Sequence, residues 1–261
     1  MSSILLKADG LEKHFGGIVA LADYSVEVLA GELLGLIGPN GAGKTTVFNL
    51  LSGVLRPTRG RIALKGRDIT GQRPDQNAAM GIARTFQNIR LFNALSVVDN
   101  VKVALHMHLG RGFWQTIGHS PVFRRSEARL EAEARKALEL LDLDPVAEET
   151  AHTLPYGLQR RVEIARAVAA GPQLLLLDEP AAGLNPTETE ELVAVIRRIH
   201  RDYGLAILLV EHDMQVVMSV CERIQVLDRG RVLAGGTPAE IRGDPRVVAA
   251  YLGAAGGGAA C

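Results

Sequence analysis

The sequence is poor in several features that would decide its class directly. Only two cysteines occur among 261 residues, Cys221 and Cys261, which are too few for a disulfide framework or a thiolate metal site. Aromatic residues make up 4% of the chain, and 29 basic side chains balance 29 acidic ones, so the formal net charge is zero. Because no global positive field steers the chain toward polyanions, we expect no nucleic-acid partner.

Long apolar runs are also missing. The longest runs, such as residues 205–210, fall far short of the roughly 18 residues that a membrane-spanning helix needs. Residues 1–10 lack the basic start, the apolar stretch and the small-residue cleavage site of a secretory signal. We therefore expect no integral membrane protein and a chain that stays in the cytoplasm.

What the sequence does have is the composition of a folded domain, with 47% hydrophobic and 22% charged residues. Short, continuous apolar runs recur between helical stretches, which is typical of strands buried on both faces of a parallel sheet. These runs are residues 33–37, 174–177, 205–210 and 224–227. The pattern predicts an α/β fold with a mostly parallel sheet, preceded at residues 4–65 by antiparallel strands around a loop and a helix.

The middle of the chain has no strand pattern. Residues 96–99 resemble a capping box that opens a helix through about Leu109, and a second helix is expected from about Arg124 to Leu141. The stretch between them, residues 107–123, contains three glycines and the single tryptophan, and we interpret it as a surface loop, with a partner-contacting loop as the alternative.

These patterns predict one domain over residues 1–252. Its core is residues 1–95 and 171–252, and a helical subdomain of about residues 96–170 is inserted between them. Later helices are expected after Asn185 and Thr237, each of which is followed by proline and, three positions on, by glutamate. Residues 253–261, rich in alanine and glycine, carry too little apolar bulk to order themselves and predict a flexible tail.

One glycine-rich segment has the pattern of a phosphate-binding loop. It fits G-x-x-x-x-G-K-[ST], follows an apolar strand and opens a helix, which is the context that this motif requires. Backbone N–H groups converge there on phosphate oxygens, Lys44 reaches the β- and γ-phosphates, and the Thr45 hydroxyl can ligate Mg²⁺. The residues expected to bind nucleotide here are Gly38, Pro39, Asn40, Gly41, Ala42, Gly43, Lys44, Thr45 and Thr46.

A magnesium-bound triphosphate also needs acidic groups at the end of a buried strand. Four leucines are followed by Asp178, which can hold the metal, and by Glu179, which can position or deprotonate the attacking water. His212 follows the apolar run 205–210 and would lie near the γ-phosphate if the two strands are neighbours. Gly157 stands at the start of another helix, where a second anion site fits a nucleotide held by another copy of the domain.

In combination these motifs resemble the nucleotide-binding subunit of ABC transporters, over about residues 5–252. The resemblance implies a P-loop NTPase of the RecA type with an N-terminal antiparallel β subdomain and an inserted α-helical subdomain. The matching segments are residues 38–45 for the Walker A motif, 85–87 for the Q-loop, 154–159 for the signature, 174–178 for Walker B, 182–185 for the D-loop and His212 for the switch histidine.

The resemblance also implies roles for single residues. Phe15 would stack on adenine, and Gln87 would contact Mg²⁺ or the attacking water, with Glu179 as the catalytic base and His212 beside it. Two cassettes would sandwich two ATP molecules head to tail. Three residues of the signature and the D-loop would then serve the facing nucleotide: Tyr156, Gly157 and Asn185.

Two motifs depart from the general pattern of the family. Pro155 stands where the signature has serine, which removes a hydroxyl expected at the facing γ-phosphate, and Asn185 stands where the D-loop has aspartate. These departures resemble the importer branch for branched-chain amino acids. The insertion at residues 107–123 resembles the longer of that importer's two ATPase subunits.

The resemblance implies an ATPase with ATP and Mg²⁺ as cofactors, a second cassette as a partner and integral-membrane permease subunits at the cytoplasmic face of the inner membrane. Residues 87–95 are expected to report the nucleotide state to that permease. Because a cassette does not touch the cargo, several functions stay open: import of branched-chain or other hydrophobic amino acids, import of urea or amides, export of lipopolysaccharide, or a soluble ATPase that is not coupled to transport.

Overall fold

This computed structural model describes residues 3–108 and 121–255, which contain two β-sheets and nine α-helices. In chain order the strands are β1 (Ile4–Phe15), β2 (Ile18–Leu29), β3 (Leu33–Ile37), β4 (Arg59–Leu64), β5 (Arg67–Asp68), β6 (Ile82–Arg84), β7 (Leu174–Asp178), β8 (Ala206–Val210), β9 (Arg223–Asp228) and β10 (Arg231–Gly236). The helices are α1 (Lys44–Leu51), α2 (Pro74–Ala79), α3 (Val97–His108), α4 (Pro121–Leu140), α5 (Tyr156–Ala169), α6 (Pro186–Tyr203), α7 (Met214–Val220), α8 (Pro238–Gly243) and α9 (Pro245–Ala255).

The smaller sheet is antiparallel and has the strand order β2-β1-β4-β5. It contains the strands expected in the first part of the chain and confirms the antiparallel N-terminal subdomain. After β2 the chain leaves this sheet, and β3 belongs to the larger one, so that the helix α1 that follows β3 packs between the two sheets.

The larger sheet has the order β10-β9-β3-β8-β7-β6 and is parallel except for the hairpin of β9 and β10. Every residue of β3, β7 and β8 is buried, as the continuous apolar runs predict. Because β8 lies between β3 and β7, the segments that follow these three strands meet at one edge of the sheet. This is the arrangement that the expectation for His212 requires.

The larger sheet separates two hydrophobic cores. Along β7, Leu175 and Leu177 pack with the helices α3 to α7, whereas Leu174 and Leu176 pack with α1 and the smaller sheet. This alternation follows from the period of two residues along a strand. A short edge strand, β6, and the helix α2 complete this part of the fold, and the sequence patterns predicted neither of them.

The helical subdomain contains the two expected helices, with shifted bounds. The Ser96 hydroxyl accepts a hydrogen bond from Asp99 N at 3.2 Å where α3 begins, and α4 starts three residues before the predicted Arg124. The ends of the predicted surface loop, residues 107–108 and 121–123, are therefore helical, and its other residues lie outside the described ranges. None of the helices within those ranges combines the length and hydropathy that crossing a bilayer needs.

The predicted helix starts at Asn185 and Thr237 are confirmed as capping boxes with reciprocal bonds to Glu188 and Glu240. The tail differs from its prediction, because α9 runs through Ala255 and its first three residues are helical. Alanine has the highest helix propensity, so the alanines at 254 and 255 extend a helix that apolar residues have already started. Residues 256–261 lie outside the described ranges.

Candidate nucleotide site

The loop between β3 and α1 passes close to neighbouring backbone at two glycines. A Cβ atom on Gly38 would lie 2.1 Å from Leu227 O, and one on Gly43 would lie 2.9 Å from Ala20 O. Both glycines also have φ angles, 152° and 108°, that other residues rarely adopt. The glycines at these two positions are therefore required by the shape of the loop.

Lys44 begins α1 and is almost completely buried. Its ammonium group donates hydrogen bonds to Gly38 O at 2.6 Å and to Pro39 O at 3.1 Å, so it lies over the loop that it is expected to serve. Burial lowers the pKa of Lys44, and the carboxylates of Glu179 and Asp178 oppose that shift. The next residue, Thr45, is exposed on the first turn of α1.

Asp178 ends β7 and has a buried partner that sequence reasoning missed. Its Oδ2 atom accepts a hydrogen bond from Arg84 Nη2 at 2.8 Å, and the two side chains are only 7% and 8% exposed. Arg84 also donates to Asn49 Oδ1 at 2.6 Å and to Ser52 Oγ at 3.0 Å, at the end of α1. One guanidinium group thus joins the strand ends of β6 and β7 to the helix of the phosphate loop.

Removing this guanidinium is expected to destabilise the fold strongly. Arg84→Met leaves the Asp178 carboxylate buried without its cation, which costs about 3–5 kcal/mol of unfolding free energy for buried pairs of this kind. The double variant Arg84→Met/Asp178→Asn carries no uncompensated charge and should recover part of that loss. Urea denaturation of both variants measures the difference, and equal losses in the two would contradict the importance of the pair.

The three residues expected to act in hydrolysis come together at the edge of the larger sheet. Glu179 Oε2 accepts a hydrogen bond from Gln87 Nε2 at 3.0 Å and lies 3.9 Å from His212 Nδ1. Glu179 has a φ of 46°, which is unfavourable for a residue with a side chain, and its N–H donates to Val210 O at 2.9 Å. The backbone of Glu179 is thus bonded to the end of β8.

Glu211, next to His212, is a second residue whose position the sequence did not reveal. It is fully buried, and its carboxylate accepts hydrogen bonds from Ala181 N at 2.7 Å and from His212 N at 3.2 Å. Burial raises the pKa of Glu211, and these hydrogen bonds oppose the shift. The residue ties the segment after Glu179 to the end of β8.

Phe15 ends β1 and presents a ring that is 46% exposed, with Lys13 Nζ 5.1 Å from its centre. The strand that follows, β2, carries Ala20 against Gly43 of the phosphate loop. The hairpin that carries the exposed Phe15 ring therefore also contacts the phosphate loop, through Ala20. An exposed aromatic face is what stacking on a base requires.

The signature and D-loop residues form a separate group at the starts of α5 and α6. Gly157 packs so closely on Glu188 of α6 that a Cβ atom would lie 2.8 Å from Glu188 Oε1, and a Cβ on Gly183 would lie 3.3 Å from the ring of Tyr156. The Asn185 side chain accepts a hydrogen bond from Glu188 N at 3.0 Å. In this structure Asn185 therefore caps α6, while Tyr156 remains exposed.

Comparisons with known proteins agree along almost the whole chain. The family profile described as "ABC transporter" matches residues 21–182, and "Branched-chain amino acid ATP-binding cassette transporter" matches residues 231–256. The chain is 46% identical to the branched-chain amino acid transport ATP-binding protein BraF of Pseudomonas aeruginosa, over 98% of this chain and 100% of that protein. It is 39% identical to the lipopolysaccharide export ATP-binding protein LptB of Acidithiobacillus ferridurans, over 96% and 98%.

Solved structures give the same result. An ATP-binding cassette of an ABC transporter in its ADP conformation superposes with a TM-score of 0.83 at 27% identity, over 97% of this chain and 100% of that chain. A dimeric cassette in a post-hydrolysis state with ADP and Pi superposes with a TM-score of 0.74 at 26% identity, over 90% and 99%. The chain therefore belongs to the ABC transporter family, as one of its ATP-binding cassettes.

Proposed function

We propose that this chain hydrolyses ATP to power an importer of branched-chain or other hydrophobic amino acids. The main support for ATP hydrolysis is the hydrogen bond of 3.0 Å from Gln87 to Glu179. It lies at the edge of the larger sheet where β3 also ends and the phosphate loop begins. The cargo is supported by the likeness to BraF and by 47% identity to the branched-chain amino acid transport ATP-binding protein LivG of Salmonella typhimurium.

In the proposed site the adenine stacks on Phe15 and the phosphates lie against the loop N–H groups at the start of α1. Lys44 exchanges its bonds to loop carbonyls for bonds to the β- and γ-phosphates. The oxygen donors present fit Mg²⁺. The Thr45 hydroxyl is exposed, and Arg84 donates to only one carboxylate oxygen of Asp178, Oδ2, so that Oδ1 is not bonded to Arg84. When bound, the metal offsets the charge of the phosphates.

Glu179 is placed to receive a proton from the attacking water. Its Oε2 is held by the Gln87 amide, so that the carboxylate has one preferred orientation at the end of β7. The imidazole of His212 is 60% exposed and projects from the neighbouring strand end. We assign His212 to the γ-phosphate and Gln87 to the metal or the attacking water.

The second group of residues has no role toward the nucleotide of its own chain in this proposal. Tyr156 and Gly157 stand at the N-terminus of α5, where free N–H groups can bind an anion. We assign them, with Asn185, to ATP on a facing cassette, in agreement with the dimeric cassettes among the structural neighbours. The facing cassette is a second copy or a related ATPase subunit.

A groove of about 550 Å³ lies beside the segment expected to report to the permease. Its lining includes apolar residues of α2, β6 and α5 and the charged groups Arg90, Glu163 and Arg166. Phe86 also lines the groove and is followed directly by Gln87. We propose that a cytoplasmic segment of the permease docks there, which places the cassette peripherally at the cytoplasmic face of the inner membrane.

Uptake of labelled leucine tests the proposed cargo. In cells without another leucine importer, replacing the chromosomal copy by the Glu179→Gln variant should reduce leucine uptake to background, because the permease then has no hydrolysing cassette. Urea uptake and lipopolysaccharide export in the same cells serve as controls and should be unchanged. Normal leucine uptake with a defect in either control would assign the cassette to one of the other systems.

A further inference from the structure

The backbone of the Q-loop changes its attachment between Thr85 and Phe86. Thr85 is bonded to β7, since its N–H donates to Leu176 O at 3.0 Å and its Oγ1 accepts from Asp178 N at 3.3 Å. Phe86 is bonded to α5, because its N–H donates to Glu163 Oε1 at 3.2 Å. The peptide from Phe86 onward is therefore attached to the helical subdomain, although it directly follows a strand of the larger sheet.

Arg160 completes this attachment. Its side chain is fully buried, and its guanidinium donates to Phe86 O, to Gln87 O and to Glu163 Oε2, each at 2.8 Å. Burial raises the pKa of Glu163, and the Phe86 N–H and Arg160 oppose that shift. A buried ion pair whose members are also bonded to the backbone has little freedom to rearrange, so α5 and this peptide form one rigid unit.

The two ends of this unit lie in the two groups of site residues. Arg160 stands three residues after Gly157, less than one helical turn from the start of α5. On the other side, Arg160 binds the carbonyl oxygen of Gln87. The side-chain amide of the same Gln87 lies 3.0 Å from Glu179 Oε2. A displacement of the helix start at Gly157 is thus carried through Arg160 to the side chain that orients Glu179.

We propose that Arg160 is a positioning residue that makes the orientation of Gln87 at Glu179 depend on how the start of α5 is docked. This inference rests on the proposed function, in which Gly157 meets the nucleotide of a facing cassette. Docking of the facing cassette at the start of α5 then orients Gln87 in this chain.

Kinetics of Arg160→Met test the proposal, with Arg161→Met as a matched control. Arg161 is the next residue on the same helix and is also nearly buried, but it donates to Glu191 of α6. Misplacing Gln87 should lower kcat about 10- to 100-fold with little change in KM. Arg161→Met should remain within a few-fold of wild type, and Arg160→Lys, which keeps the charge with fewer donors, should fall between the two.

Hydrogen exchange provides a readout that a purely structural role would not move. In the Glu179→Gln background, ATP-dependent pairing should protect the peptide 86–95 when Arg160 is present and should fail to protect it in Arg160→Met. The phosphate-loop peptide should be protected by ATP in both. The companion cassette is supplied if the chain does not pair with itself.

If Arg160→Met does not fold, Arg160→Met/Glu163→Gln replaces the pair without leaving a buried charge and takes its place in both measurements. Equal kcat in the Arg160 variant and the wild type, equal losses for Arg160→Met and Arg161→Met, or equal protection of residues 86–95 would overturn the coupling. A wild-type chain that does not hydrolyse ATP would instead overturn the proposed function, so the two failures are distinguishable.

Discussion

Glu179→Gln is expected to stop hydrolysis while ATP stays bound. The amide has the same shape as the carboxylate and keeps an acceptor for Gln87, but it cannot take a proton from water at neutral pH. General-base catalysis contributes about 10²- to 10⁴-fold, so kcat should fall by that factor. The affinity for ATP should change little because Glu179 is not assigned to a phosphate. Phosphate release at saturating ATP and equilibrium binding measure the two quantities.

Glu211→Gln is the matched control for this substitution. The same chemical change is then made at the end of the neighbouring strand, where the amide oxygen can still accept the bond from Ala181 N but the bond from His212 N to the second carboxylate oxygen is lost. Because this change removes no group assigned to take a proton from water, we expect its kcat to fall much less than that of Glu179→Gln. Hydrolysis by Glu179→Gln at the wild-type rate would mean that Glu179 is an acidic residue at a strand end without a part in the chemistry.

Lys44→Ala is expected to weaken ATP binding and to remove most of the hydrolysis. It deletes the one cation assigned to the β- and γ-phosphates, and a hydrogen bond to a charged group contributes about 1.5–3 kcal/mol. The Kd for ATP should therefore rise about 10- to 100-fold. Isothermal titration with ATP and Mg²⁺ measures the change.

Because Lys44 is also bonded to Gly38 O and Pro39 O, its loss removes contacts within the loop. Lys44→Met keeps most of the buried stem without the charge, and it separates the role of the ammonium group from that of packing. If Lys44→Ala and Lys44→Met have equal Kd values for ATP and equal unfolding free energies, the lost charge is the cause of the weaker binding. Undiminished turnover in either variant would refute the assignment of the loop.

The phosphate loop and the acidic strand end could be predicted because their patterns are local. The phosphate loop is recognised because a strand, a glycine turn, Lys44 and a helix follow one another within about twenty residues. The strand before Asp178 is recognised because four consecutive leucines indicate burial on both faces of the sheet. His212 needed one further fact, the place of β8 between β3 and β7, which only the assembled sheet supplies.

Arg84 and Arg160 could not be found in this way. Each acts through a partner that is distant in the sequence, Asp178 for Arg84 and the carbonyls of Phe86 and Gln87 for Arg160. Periodicity describes which face of an element is buried and does not pair side chains across the fold. The strand that carries Arg84 is also only three residues long, too short to show a pattern of its own.

Asn185 shows a different limit. The sequence pattern predicted a helix cap at this residue, whereas the resemblance to the family implied a contact with the facing nucleotide. In the structure its side-chain oxygen accepts the hydrogen bond from Glu188 N. The first helix of the middle region was predicted from a capping box and the second from its apolar face. The second helix starts three residues earlier than predicted, at Pro121, because proline fits the first turn of a helix, where its missing N–H would have no partner within the helix.

The alternation of β7 between two cores has a consequence for its length. Adding or deleting one leucine would turn every later side chain of the strand to the opposite face of the sheet, so that each would point into the other of the two cores. It would also move Asp178 away from Arg84 and carry Glu179 out of reach of Gln87. Apolar substitutions of similar volume among Leu174–Leu177 remain compatible with this arrangement, whereas a change in the number of residues in the run does not.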